Sequence, residues 1–66
     1  MKIHINGEEK EIIDGLNIAA LLDEFEIRPG RVVVELNRSI ISREAQKSTS
    51  LREGDVLEIV HFVGGG

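Results

Sequence analysis

The stretch Val56-Leu57-Glu58-Ile59-Val60-His61-Phe62-Val63 is rich in β-branched residues and is followed directly by Gly64-Gly65-Gly66. β-Branched and aromatic residues favour strands, whereas three consecutive glycines do not continue one. The stretch therefore predicts a final strand over residues 56–63. The three glycines predict that the chain leaves the fold there as a thin, flexible thread.

Both faces of this predicted strand are largely apolar, although only one of them can face a core. Leu57 and Ile59 are assigned to the core, because that choice leaves Glu58 in water. The residues that then point outward, including one from an earlier strand, are Glu58, Val60, Phe62 and Val33. An apolar patch beside the end of the chain predicts a docking surface for a partner. The alternative is ordinary surface exposure, since single apolar side chains are common on protein surfaces.

The composition limits the possible functions. A chain of 66 residues forms one small domain with little room for an enclosed active site. Its net charge of −4 opposes binding to nucleic acids and anionic membranes. The chain has no cysteine, which excludes disulfides, thiolate nucleophiles and cysteine-ligated metals built from it. Neither a signal peptide nor a membrane span is predicted, so the expected location is the cytoplasm.

The first third of the chain predicts a hairpin and a helix. Residues 2–6 alternate as a half-buried strand does, and Asn6-Gly7 is the preferred pair for a two-residue hairpin turn, with a second strand over residues 9–13. Asn17 is placed to cap a helix. The apolar face of that helix contains Ile18, Leu21, Leu22 and Phe25. Arg28-Pro29-Gly30 then predicts a type II turn.

The second half predicts further strands. Residues 31–36 form a third strand, Asn37-Arg38 a tight turn, and residues 39–41 a short fourth strand. The polar connection over residues 42–50 contains one helical turn at about residues 43–45. Gly54 and Asp55 favour a turn before the last strand, with Asp55 bonding nearby backbone N–H groups.

This order of elements predicts an α+β fold of the β-grasp type. A mixed sheet of four to five strands packs on one main helix, and the first and last strands lie side by side in parallel at its centre. The β-grasp domain is expected to cover residues 1–63, with residues 64–66 as a flexible glycine tail. The free protein is expected to be a monomer.

Side chains offer little catalytic chemistry. His4 and His61 lie in neighbouring predicted strands, but opposite faces would separate them, so a structural or bystander role is favoured over catalysis. The serines have no evident base, and we predict neither catalytic nor metal-binding residues. The α-carboxylate of Gly66 remains the candidate functional group. It reacts with nucleophiles only after a partner has activated it, for example by adenylation.

Three segments together resemble the thiamin-biosynthesis sulfur carrier (ThiS) family of ubiquitin-like β-grasp proteins. They are residues 32–37, residues 51–60 and the Phe62-Val63-Gly64-Gly65-Gly66 end. Gly65 and Gly66 match the family diglycine, and Gly64 matches the small residue before it. Val60 and Phe62 map onto the apolar face through which such carriers dock.

The resemblance implies a protein co-substrate rather than an enzyme. Gly66 is adenylated by a ubiquitin-activating-like enzyme that uses ATP, and the carrier itself binds no cofactor. Sulfur from cysteine, delivered through a cysteine desulfurase, then gives a thiocarboxylate that thiazole synthase consumes. The alternatives are a sulfur carrier for molybdopterin or another sulfur-transfer pathway, a β-grasp interaction module with an inert tail, and a modifier conjugated to lysine through Gly66.

Overall fold

The computed structural model describes residues 1–62 and contains five strands and one α-helix in that range. Two short 3₁₀ turns, Pro29–Arg31 and Glu44–Ser48, connect them. The strands and the helix, in chain order, are β1 (Lys2–Ile5), β2 (Glu8–Glu11), α1 (Ile18–Glu24), β3 (Val32–Leu36), β4 (Ser39–Ile41) and β5 (Val56–His61). Val63 and the three glycines lie outside the described residues.

The five strands form one mixed sheet in the order β2-β1-β5-β3-β4. The central pair, β1 and β5, is parallel, whereas the other three pairs are antiparallel. A parallel pair needs a long crossover connection, and the segment with α1 provides it. The prediction of a β-grasp fold with the first and last strands at the centre is confirmed.

The core lies between the helix and one face of the sheet. The side chains that are almost completely removed from solvent come from the helix and from three strands, and they are Ile3, Ile18, Leu21, Leu22, Leu57 and Val34. Strand alternation and helical spacing select these positions, because each element buries one face only. Residues 1–62 include no helix that is long and apolar enough to cross a membrane.

The helix begins and ends with defined caps. Asn17 is the N-cap, as predicted, and its Oδ1 accepts a hydrogen bond from the Ala20 N–H at 2.7 Å. At the other end, the Glu26 N–H donates to Asp23 O at 3.0 Å and the next N–H, of Ile27, donates to Leu22 O at 2.8 Å. These two bonds define a Schellman motif.

Phe25 was predicted to lie on the apolar face of the helix, and this prediction is wrong. Phe25 is the C-cap residue and is 39% exposed. Glu26 adopts φ +59 immediately after it, so the helix ends before Phe25 can pack inward. The i, i+3, i+4 pattern of buried residues therefore extends only to Leu22. The spacing of apolar residues predicts which face of a helix is buried, but it does not predict the residue at which the helix ends.

The type II turn predicted at Arg28-Pro29-Gly30 is also wrong. These residues enter a 3₁₀ turn, in which the Arg31 N–H donates to Arg28 O at 3.0 Å. Gly30 does not have a positive φ. The fixed φ of proline fits a 3₁₀ turn as well as a type II turn, so proline alone does not decide between them. A Cβ added to Gly30 would lie 3.4 Å from Nη1 of Arg43.

The two hairpin turns match their predictions more closely. Asn6 and Gly7 both have positive φ, +50 and +84, as the preferred two-residue turn requires. Asn37 and Arg38 form the corresponding turn between β3 and β4, with φ +50 and +75. The second strand covers residues 8–11 rather than 9–13, because the chain leaves the sheet edge so that Ile12 enters the core.

Asn37 ties this second turn to the start of β5. Its N–H donates to Val56 O at 2.8 Å, and its Oδ1 accepts from the Val56 N–H at 2.9 Å. Its Nδ2 donates to Asp55 Oδ1 at 3.1 Å. Asp55 also accepts the Arg52 N–H at 2.8 Å, so the prediction that it bonds nearby backbone is confirmed. These contacts fix the position at which the last strand enters the sheet.

Candidate functional site

The last strand has one buried and one exposed face. Leu57 and Ile59 are 0% and 5% exposed, whereas Glu58 and Val60 are exposed. The prediction of which residues point inward is therefore confirmed. The strand ends at His61 rather than at residue 63, and the predicted final residue of the strand lies outside the described part of the chain.

Val33 and Val60 are direct partners across the β3–β5 ladder and lie on the outer face. Phe62 follows β5 and remains aligned with β3, because its N–H donates to Arg31 O at 3.2 Å. The exposed fractions of Val33, Val60 and Phe62 are 39%, 55% and 53%. We call these three residues the apolar strip. It leads along the sheet to the position where the described chain ends.

Glu58 is the fourth residue predicted for docking, and it lies on the outer face two positions before Val60. Its direct partner in the ladder is Glu35, which is half-buried. Elsewhere on this face, the Lys2 ammonium pairs with Glu9 at 3.7 Å. Glu35 and Glu58 therefore place two carboxylates beside the apolar strip.

Two further apolar side chains lie on this face and were missing from the predicted set. Val56 is 42% exposed and could have been found from the same alternation that placed Val60 outward. Ile40 is 71% exposed and is the ladder partner of Glu35 in β4. The two-residue turn at Asn37-Arg38 fixes the register of β4 against β3, so the position of Ile40 opposite Glu35 could have been found from the predicted turn.

The structure separates the two histidines. His4 is opposite Val56 in the β1–β5 pair, whereas His61 is opposite Val32 at the other end of β5. The five-residue offset along the strand corresponds to about 16 Å. His4 also points to the outer face and His61 to the inner one, and both are exposed. Within residues 1–62, no three His, Cys, Asp or Glu side chains are grouped closely enough to hold a metal.

The candidate for modification and its tail, Gly66 with Gly64 and Gly65, lie outside the described residues. The described part of the site is therefore the outer sheet face that precedes them.

Comparison with known proteins identifies the family. The ThiS family model matches residues 3–66, which includes the glycine run. The sulfur carrier protein ThiS of Bacillus subtilis is 40% identical over 65 residues, covering 97% of this chain and 98% of the relative. The crystal structure of the thiamine biosynthesis protein ThiS from Geobacter metallireducens superposes with a TM-score of 0.87 at 33% identity, covering all of both chains.

A second group of relatives is much longer. A thiazole synthase from Magnetococcus marinus is 41% identical over 66 residues, which are all of this chain but only 20% of that protein. The chain thus spans about one fifth of the length of the thiazole synthases that it matches. The matched family model, the relative of equal length and the superposed structure agree, and the chain belongs to the ThiS family.

Proposed function

We propose that this protein is the sulfur carrier of thiamine biosynthesis and supplies the sulfur of the thiazole ring. The observation that carries the proposal is the family match through residue 66, because it includes the glycines as well as the folded body. The Bacillus subtilis relative of nearly equal length is named a sulfur carrier, which supports the same function.

The proposed chemistry takes place at the α-carboxylate of Gly66. A carboxylate oxygen attacks the α-phosphorus of ATP, and pyrophosphate leaves, giving an acyl adenylate. A sulfur nucleophile that originates from cysteine through a cysteine desulfurase then attacks the acyl carbon, and AMP leaves. When that nucleophile is an enzyme persulfide, the product is an acyl disulfide between Gly66 and the enzyme. A thiol such as free cysteine then reduces the S–S bond, which leaves a thiocarboxylate on Gly66 and releases the enzyme cysteine. The chain has no cysteine of its own, so no internal thiol competes for the activated carbonyl.

Each part of the chain has a proposed role in this sequence of reactions. Residues 1–63 form the recognised body, and residues 64–66 deliver the carboxylate into the active site of a partner. Gly64 and Gly65 have no side chains that would obstruct a narrow channel. The apolar strip, Val33, Val60 and Phe62, together with Glu58, is the docking surface, because it is exposed and its last residue, Phe62, lies two positions before Gly64.

The protein acts as a co-substrate rather than as an enzyme in this proposal. A ubiquitin-activating-like enzyme binds the ATP and carries out the adenylation, and thiazole synthase consumes the thiocarboxylate. The two thiazole synthases that contain a segment similar to this chain support the second partner. We place these reactions in the cytoplasm, because the adenylation consumes ATP.

Intact-mass analysis tests the proposal. The protein is incubated with ATP, the adenylating enzyme of the same organism and a cysteine desulfurase with cysteine. The expected product is heavier by the difference between one sulfur and one oxygen atom, and the gain depends on ATP. An unchanged mass, with partner enzymes shown to be active on another ThiS protein, contradicts the proposal. The starting mass also establishes whether Gly66 has a free carboxylate in the natural protein.

The thiocarboxylated protein is then offered separately to thiazole synthase and to the large subunit of molybdopterin synthase. Loss of the added mass with thiazole synthase alone is the expected result. Turnover with molybdopterin synthase alone would instead assign the carrier to the molybdopterin pathway.

A further inference from the structure

Glu35 and Glu58 form a like-charged pair at the centre of the outer face. They are direct partners in the β3–β5 ladder. In an antiparallel ladder, every second pair of opposite residues is joined by backbone hydrogen bonds. The Asn37 N–H donates to Val56 O and the Phe62 N–H donates to Arg31 O, and the glutamate pair lies at an even spacing from both. It is therefore also a hydrogen-bonded pair, with Cα atoms about 5.5 Å apart. Like charges directly opposite on one face destabilise a sheet.

The part of the chain that the structure describes places no cationic group within ion-pair distance of these two glutamates. None of the ion pairs among residues 1–62 includes Glu35 or Glu58. Lys2, which lies on the same face in β1, pairs with Glu9 instead. The two glutamates are therefore cross-strand neighbours whose side chains are open to water, with Glu58 exposed and Glu35 partly so.

Apolar side chains surround the pair. Val33 and Val60 form the next pair on the same face, and Ile40 is the partner of Glu35 on the other side. A partner that covers these apolar groups also removes water from the two carboxylates. Removing water from unpaired charges is strongly unfavourable, so a partner that fits this face must bring a positive charge to the glutamates.

We propose that thiazole synthase places an arginine guanidinium between Glu35 and Glu58 when the apolar strip docks on it. This inference rests on the proposed function and adds the chemistry of the partner surface. A planar guanidinium has five N–H donors and can bond to two carboxylates at once, whereas an ammonium is a more strongly hydrated point charge. Two carboxylates alone supply too few ligands for the six to eight oxygens that calcium prefers.

Thiazole synthase is the chosen partner because relatives of this chain include thiazole synthases with a segment 41% and 39% identical to it. A segment retained on the same polypeptide as the synthase has a direct opportunity to contact it. The net charge of −4 on this chain also favours a positively charged partner surface.

The test measures stability and affinity in the same variants, because the proposal predicts changes of opposite sign. Glu35→Gln, Glu58→Gln and the double variant remove the repulsion, so the Tm should rise by roughly 1–5 °C. The Kd for purified thiazole synthase of the same organism should rise by roughly tenfold in the double variant, since the guanidinium then lacks its partners. The affinity of the wild-type protein should also fall more steeply with added salt than that of the double variant.

Three control variants complete the experiment. Glu24→Gln matches the change of net charge in each single variant, and Asp23→Asn with Glu24→Gln matches the change in the double variant. Both controls lie on the exposed end of the helix, and their Kd should equal that of the wild type. Phe62→Ala reports on the apolar strip. If Phe62→Ala weakens binding but the glutamine variants bind like the wild type, the arginine contact and the role of Glu58 are refuted, while docking through the apolar strip stands. A fall in Tm for the glutamine variants also refutes the proposal, because the pair would then stabilise the free fold. Failure of the wild-type protein to bind active thiazole synthase overturns both the docking role and this inference.

Discussion

The side chain of Asn6 acts as the last partner of β5 where β1 has already ended. Its Oδ1 accepts a hydrogen bond from the Ile59 N–H at 2.7 Å, and its Nδ2 donates to Ile59 O at 3.1 Å. The carboxamide of Asn6 thus replaces the backbone N–H and C=O groups with which β1, if it were longer, would bond to β5. Ile59 lies directly before Val60, so this contact fixes the register of β5 at the base of the apolar strip.

Replacing Asn6 should destabilise the protein without affecting the hairpin backbone. Asn6→Gly accepts φ +50 but removes both hydrogen bonds, and we expect the free energy of unfolding to fall by about 1–3 kcal/mol. Urea unfolding measures this change. Asn6→Asp retains an acceptor for the Ile59 N–H but loses the donor to Ile59 O. Its stability should therefore lie below that of the wild type, and repulsion between the new carboxylate and Ile59 O lowers it further. A glycine variant as stable as the wild type would contradict the role assigned to the carboxamide.

The C-terminus of the helix offers a stabilising substitution. Glu26 has φ +59, a conformation that disfavours residues with a Cβ atom and favours glycine. Glu26→Gly should raise the free energy of unfolding by roughly 0.5–1 kcal/mol. The matched control is Glu24→Gly, which places the same new residue within the helix and should lower stability by a similar amount. Equal effects of the two substitutions would be inconsistent with a left-handed cap at Glu26.

The two faces of β5 should respond differently to truncation. Leu57→Ala creates a cavity at a fully buried position and should lower the free energy of unfolding by about 2–5 kcal/mol. A domain of this size has a total of roughly 3–10 kcal/mol, so the substitution removes a large share of its stability. Val60→Ala, on the exposed face, should leave the melting curve almost unchanged and weaken binding to thiazole synthase. Circular dichroism and a binding titration distinguish these outcomes, and unfolding of the Val60 variant would argue against a docking role for that residue.

Deleting Gly66 should prevent thiocarboxylate formation. The new carboxylate, on Gly65, would end about 3.3–3.6 Å short of the reacting position, and such a displacement is large for a reaction that depends on alignment. The mass assay measures the loss of transfer. The Tm of the deletion variant should equal that of the full chain, since the proposed body comprises residues 1–63. Full sulfur transfer to the shortened chain would exclude Gly66 as the modified residue.

The parts of the fold that were predictable from the sequence depend on local signals. The alternation around Ile3 and Ile5, the turn at Asn6-Gly7 and the cap at Asn17 each involve residues within a few positions of one another. The central, parallel pairing of the first and last strands followed from the single helix and from the apolar character of those two strands. The outward position of Val60 followed from one charged neighbour, Glu58.

The features that were missed depend on long-range pairing or on alternative backbone states. Glu26 gives no sequence signal for a left-handed cap, because glycine and asparagine are the usual residues there. Proline and glycine at positions 29 and 30 fit two turn types, and local residues do not choose between them. The alignment of strands that are distant in sequence decides two further features. One is the pairing of Glu35 with Glu58, and the other is the hydrogen bonding of Asn6 to Ile59.

The central position of β5 has a consequence for how the chain acquires its structure during synthesis. The β1–β2 and β3–β4 hairpins can each form locally, but the sheet joins them only through β5. A ribosome that has released the first 55 residues has therefore produced two hairpins and a helix with no sheet centre between them. Cooperative folding must wait until β5 has emerged, and a nascent chain that stalls earlier leaves the apolar residues of both hairpins open to chaperones and proteases.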